Sequence, residues 1–160
     1  MKKIIYLLIM ILSILTFSAC GKATANPVAK DVTASIISDF SSDSMTELSA
    51  DRVNSYYDID LKKLEDFSIY IEGSGGYADE VAIFKVKDNK DIEDIKASIN
   101  DRIKNRLKDF DGYNSEELVK IKNNLVLVKG KYILFVISEN NDKAKSTFNA
   151  ALKWIMEDLW

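Results

Sequence analysis

Ile92, Ile95, Ile99, Ile103, Leu107 and Phe110 recur at intervals of 3, 4, 4, 4 and 3 residues, the period of one face of an α-helix. The charges around this stripe suit the helix dipole: Asp91, Glu93 and Asp94 come early, Arg106 and Lys108 late. A helix this long with one apolar face needs a partner layer to bury it. The segments on either side supply one. Phe67, Ile69 and Ile71 alternate with other residues, Gly73-Ser74-Gly75-Gly76 makes a turn, and 81–86 follows as a second strand. Beyond the long helix, 125–128 and 132–138 form a second hairpin around Lys129-Gly130-Lys131.

Four further helices complete the pattern. Residues 28–40 place Val28, Val32, Ile36, Ile37 and Phe40 on one face; 41–45 breaks it, and 48–57 reads as a short helix opened by Ser49. Another spans 115–123, starting from Asn114 or Ser115, with Glu116 and Glu117 in its first turn. The last, 142–159, buries Ala144, Phe148, Leu152 and Ile155. The expected fold is α+β in the order ααββααββα: a four-stranded, mainly antiparallel sheet of two hairpins, with helices covering one face. The strands lack the helical crossovers of a doubly wound sheet.

Ahead of this single domain, the N-terminus carries an address. Lys2 and Lys3 precede an apolar run over 4–17, too short for the about 20 residues of a bilayer span. Its length suits the core of a signal peptide. The run ends in Phe17-Ser18-Ala19-Cys20-Gly21, which resembles the lipobox of bacterial lipoproteins, with Phe17 where Leu is most usual. That resemblance implies cleavage after residues 1–19 and a diacylglyceryl group on the sulfur of Cys20. Each buried CH₂ contributes about 0.8 kcal/mol, so two acyl chains (palmitate, for example) hold where one would not. Residues 20–27 then read as a tether, and 28–160 as the domain.

Composition removes several functions. Without Lys2 and Lys3, 20 basic side chains face 25 acidic ones, a net of −5 that disfavours nucleic acid. The chain has no histidine, which removes the usual general base and the commonest metal ligand. A single cysteine allows neither an internal disulfide nor a cysteine zinc site. No metal and no cofactor is expected.

The remaining candidates are modest. Gly73–Gly76 lacks the following Lys-Ser/Thr of a phosphate loop and reads as a hairpin turn. Asp88-Asn89-Lys90-Asp91-Ile92-Glu93-Asp94 fails calcium-loop spacing and reads as a helix entrance. Arg102, Lys104, Arg106 and Lys108 alternate with Asp101 and Asp109 and read as a solvated face. Glu72, Tyr77, Asp79 and Glu80 make a candidate binding edge on the first hairpin, where loop-edge charges keep a turn soluble. The same carboxylates could instead act as an acid–base pair on a glycan. Trp154 and Trp160 fall on opposite flanks of the last helix's stripe; they either widen its buried face or form a partner patch.

The segments Tyr77-Ala-Asp-Glu-Val-Ala-Ile-Phe-Lys-Val-Lys87 and Val126-Leu-Val-Lys-Gly-Lys-Tyr-Ile-Leu-Phe-Val136 resemble an uncharacterised lipoprotein family of low-GC Gram-positive (clostridial-type) bacteria, domain of unknown function 4358. The resemblance spans about 28–149 and implies attachment to the outer face of the cell membrane. It brings no activity or catalytic residues with it. Three readings follow: a non-enzymatic lipoprotein that binds an envelope protein or a small ligand, a carboxylate-dependent enzyme on envelope glycans, or an envelope protein self-associating through its last helix.

Overall fold

The computed structural model describes residues 26–38, 40 and 44–153. The expected signal peptide, Cys20, Trp154, Ile155 and Trp160 lie outside the described residues. Among the described residues five strands and five α-helices follow one another as α1 (Ala29–Ile37), β1 (Met45–Glu47), α2 (Ala50–Tyr57), β2 (Leu64–Glu72), β3 (Glu80–Val86), α3 (Ile92–Phe110), α4 (Ser115–Lys122), β4 (Leu125–Lys129), β5 (Tyr132–Ile137) and α5 (Asn141–Ala151). Both expected hairpins form, as β2–β3 and β4–β5, and all ladders are antiparallel.

The sheet has five strands, not four, in the order β1-β2-β3-β5-β4. The added edge strand is three residues long, with Met45 opposite Glu72 and Glu47 opposite Tyr70. A strand so short carries no readable alternation, so a broken helical pattern was its only trace.

Nor do the helices cover a single face. On one side Ala82, Phe84, Val86, Ile133, Phe135 and Ile137 pack with Val53 and Tyr57 of α2, Ile95 and Ile99 of α3, and Ile121 of α4. Tyr57 meets the rings of Phe84 and Phe135 edge-on, with centroids 5.2 and 6.3 Å apart. On the other side Val81, Ile83, Leu134 and Val136 pack with Val32 and Ile36 of α1 and with Ala144 and Phe148 of α5. The two central strands are buried at every position, because each face has its own helical layer. Their unbroken apolar runs are the sequence trace of double coverage.

Helix entrances follow local chemistry. The Asn114 side chain accepts from the amides of Glu116 and Glu117, and Asn140 caps α5 through the amide of Lys143. Asp88 caps the single turn that leads into α3. The sheet thereby acquires two ends. The β2–β3 hairpin tip, the end of α3 and the β5–α5 turn lie at one; the β4–β5 turn and the β3–α3 loop lie at the other.

Candidate functional site

Three carboxylates surround the tip of the β2–β3 hairpin, and each is committed to a different set of donors. Glu72 ends β2. Its Oε1 accepts from Ser44 Oγ at 2.7 Å and the Ser74 amide at 3.0 Å; its Oε2 accepts from Ser74 Oγ at 2.7 Å and the Gly75 amide at 3.1 Å. Burial by itself would raise its pKa, but these donors prevail and hold it at about 2. Gly75 completes this wrap at φ 76°, a conformation that costs glycine little.

Glu80 opens β3 and is fully buried. Arg102 of α3 grips it through Nε at 3.0 and 3.2 Å and Nη2 at 2.8 Å, and the Tyr57 hydroxyl donates to its Oε1. Burial, reinforced by the neighbouring carboxylate, pushes the Tyr57 hydroxyl well above the usual tyrosine range. A second guanidinium, Arg106, stands with Nε 3.8 Å from Glu80 Oε2, and that Nε has no hydrogen-bond acceptor. Burial lowers the pKa of Arg106, while its guanidinium lies over the Phe110 ring at 4.6 Å.

Of the two arginines read as part of a solvated face, Arg102 is buried and Arg106 half-buried. Arg102 continues the line Ile95, Ile99 by three residues, so the buried stripe runs through it, and Arg106, four residues on, lies half-buried between it and Phe110. Ile103 and Leu107, read as core, are only partly buried. Lys104 and Lys108 do face solvent, Lys104 paired with Asp101. Glu80 corrects the reading of soluble loop-edge charges for the same reason: β3 is central and covered on both faces, so its first side chain is enclosed.

Asp79 points away from Glu80, as adjacent strand residues do, and accepts from Lys120 of α4 at 2.9 Å. Lys120 also pairs with Glu117 at 3.0 Å, and Glu117 in turn accepts from the Ala78 amide at 2.7 Å. Burial would lower the pKa of Lys120, yet its two carboxylate partners leave it raised.

These contacts hold the loop at both ends and leave Tyr77 exposed. The side chain of Tyr77 is in solvent, 56% exposed, while Arg106 Nη2 donates to its carbonyl at 3.1 Å. Lys120 Nζ lies 5.9 Å from the centre of the Tyr77 ring. Of the four edge candidates, then, Glu72 and Glu80 are buried braces, Asp79 is a half-buried one, and Tyr77 is the group presented. Tyr57, Arg102, Arg106, Glu117 and Lys120 belong to the same assembly and were not singled out from sequence as partners of it. An Arg–Arg pair four residues apart on the apolar line of α3 was the available signal.

On the α4 side of this assembly, a polar cavity of about 400 Å³ lies between α4 and the β5–α5 turn, with Glu116, Lys120, Asn123, Glu139, Asn140 and Asp142 among its walls. Among the described residues no three His, Cys, Asp or Glu side chains are grouped as a metal ion would require.

A three-layer domain with an antiparallel sheet, its hairpin tip braced by buried ion pairs around one exposed tyrosine, is the class these observations define. The chain belongs to the family described as Domain of unknown function (DUF4358), whose model matches residues 38–138. That span holds all five strands, α2 to α4 and the whole Tyr77 assembly, but stops short of α1 and α5; it is narrower than the 28–149 expected. Searches of curated proteins and of solved structures give no match.

Proposed function

We propose that the protein is a membrane-anchored extracytoplasmic lipoprotein, held by a diacylglyceryl group on Cys20, that works as a non-enzymatic binding module through its Tyr77 tip. The order of basic residues, apolar run and small residues before Cys20 supports the anchor. One observation carries the binding role: an exposed aromatic side chain sits on a loop whose neighbours on both sides are fixed by charged hydrogen bonds. A rigid aromatic loses little freedom on contact, which is why tyrosine is favoured at the centres of interfaces. The carboxylates beside it serve that rigidity. Glu72, at about 2, is a poor proton donor near neutral pH, and Glu80 is closed off by Arg102 and Tyr57, so the glycan-enzyme alternative loses its best acids. The cavity beside α4 supports a second mode, a small ligand, since its volume lies in the range of small-molecule sites.

In-cell crosslinking followed by membrane isolation and mass spectrometry tests the reading on native protein, Cys20→Ala and Tyr77→Ala. The native chain is expected in the membrane fraction with a specific envelope protein; Cys20→Ala leaves that fraction, and Tyr77→Ala stays but loses the partner. Equal partitioning of native and Cys20→Ala would overturn the anchor. Capture unaffected by Tyr77→Ala would overturn the tip.

A further inference from the structure

The end of the sheet opposite Tyr77 is where the chain enters the domain. The Tyr132 hydroxyl, at the start of β5, donates to Asn26 Oδ1 at 2.9 Å and to the Pro27 carbonyl at 2.7 Å. The Ala29 amide, opening α1, donates to Asp66 near the start of β2 at 2.7 Å. Cys20 precedes Asn26 by six residues, so even a fully extended tether reaches only about 20 Å from this point. The Tyr77 tip lies at the far end of β2, roughly 25 Å away along the strand.

Three segments at the tethered end carry lysines and are bonded into one surface. Lys87 donates its amide to the Lys63 carbonyl at 2.9 Å and its Nζ to the Lys62 carbonyl at 2.8 Å. Lys131 Nζ donates to the Lys87 carbonyl at 2.8 Å, and the Lys131 carbonyl accepts from the Val86 amide. Lys129 Nζ donates to the Asn149 carbonyl at 3.3 Å. Among the described residues, Lys62, Lys87, Lys129 and Lys131 have no carboxylate within ion-pair distance. The acids of this end have closer partners: Glu65 pairs with Lys85, Asp88 with Lys90, Asp91 and Asp94 with Lys63, Asp60 is a cap and Asp66 holds α1, while Lys131 acts on Glu65 and Asp88 only from a distance. At the opposite end Arg102, Arg106 and Lys120 balance Asp79, Glu80 and Glu117, and the exposed acids there are Glu116, Glu139 and Asp142.

We propose that the Lys62/Lys87/Lys129/Lys131 end seats against anionic lipid headgroups of the membrane that holds Cys20, so that the acidic end and Tyr77 point away from the bilayer. The inference rests on the lipid-anchor reading and adds an orientation to it. The short tether confines the domain within reach of the surface; unpaired ammonium groups at the near end and acids at the far end then choose which way it stands.

Introduced cysteines test it in the full chain recovered from membranes: Asn89→Cys at the near end and Glu139→Cys at the far one, each labelled with a donor dye. The labelled proteins are placed in vesicles of phosphatidylcholine, alone or with a third replaced by phosphatidylglycerol, carrying an acceptor at the headgroups. Energy transfer from position 89 is expected to rise with phosphatidylglycerol and to fall back in high salt, while transfer from position 139 stays low. Lys87→Gln with Lys131→Gln lowers the docked population about fivefold per lysine. Lys62→Gln, at an exposed side chain with no bond to the fold, gives about a fivefold loss without risk to folding. Transfer from position 89 that ignores phosphatidylglycerol, or survives both lysine variants, overturns the orientation. The mass of the N-terminal peptide reports the anchor separately: an unmodified Cys20 with the phosphatidylglycerol response intact removes the anchor and keeps the basic face.

Discussion

Arg102 closes on Glu80 from α3 with three short contacts, in a place where the two side chains keep 8% and 0% of their exposure. The pair joins the long helix to the first residue of the central strand, and through Arg106 and the Tyr77 carbonyl it reaches the exposed tip. A buried ion pair is expensive to desolvate, so its value shows when only one partner is removed.

Arg102→Met is expected to cost about 3 kcal/mol, because it leaves a carboxylate enclosed with only Tyr57 and a distant Arg106 beside it. The double variant Glu80→Met with Arg102→Met should cost clearly less than the two single changes added together. Urea unfolding of the four proteins measures the coupling. A single-variant cost under about 1 kcal/mol would show that the pair does not hold the tip.

Acid should release the Glu72 wrap. Its folded pKa of about 2 lies below the ordinary 4.5, so the unfolded chain takes up the proton first as pH falls. The stabilisation is complete above about 4.5 and is lost as pH drops from there toward 2. Glu72→Gln should flatten the pH dependence of stability across that window and leave it unchanged at pH above it. Denaturation curves at a series of acid pH values decide this; equal slopes for the two proteins would count against the wrap.

The layer outside the family match is part of the core. Phe148 of α5 is fully buried against the β3–β5 face, so Phe148→Ala should cost about 3–5 kcal/mol, with the spread set by how far the cavity collapses. A chain cut to the matched residues 38–138 would uncover Val81, Ile83, Leu134 and Val136 and is expected to aggregate. Chemical denaturation and light scattering measure the two effects. A stable, monomeric 38–138 fragment would show that α1 and α5 are accessory.

Much of the fold could be read from the chain because its signals are local. The two hairpins are marked by glycine turns between apolar runs, α3 by its period, and α4 by Asn114 and the acids after it. β1 escaped notice because three residues cannot show a period, and its pairing to β2 depends on residues some 25 positions away. The second helical layer was missed at β3 and β5: apolar residues at successive positions state that both faces are covered, but not by which helices.

The Tyr77 assembly was legible only in its address. Residues 72–80 stood out as a charged turn between strands, but which charges lay inside depended on the depth of β3 in the sheet and on the rotation of α3 above it. By itself the sequence determined every described element but β1, the two hairpins, the acidic balance and the absence of histidine, since these follow from composition and neighbours along the chain. Only the tertiary structure decided that Glu80 would be sealed by Arg102, that Glu72 would be wrapped by Ser44 and Ser74, and that Tyr77 would be left outside. The reason is physical: a charge's environment is set by the groups that packing brings within a few ångströms, and here those groups come from separate strands, helices and loops.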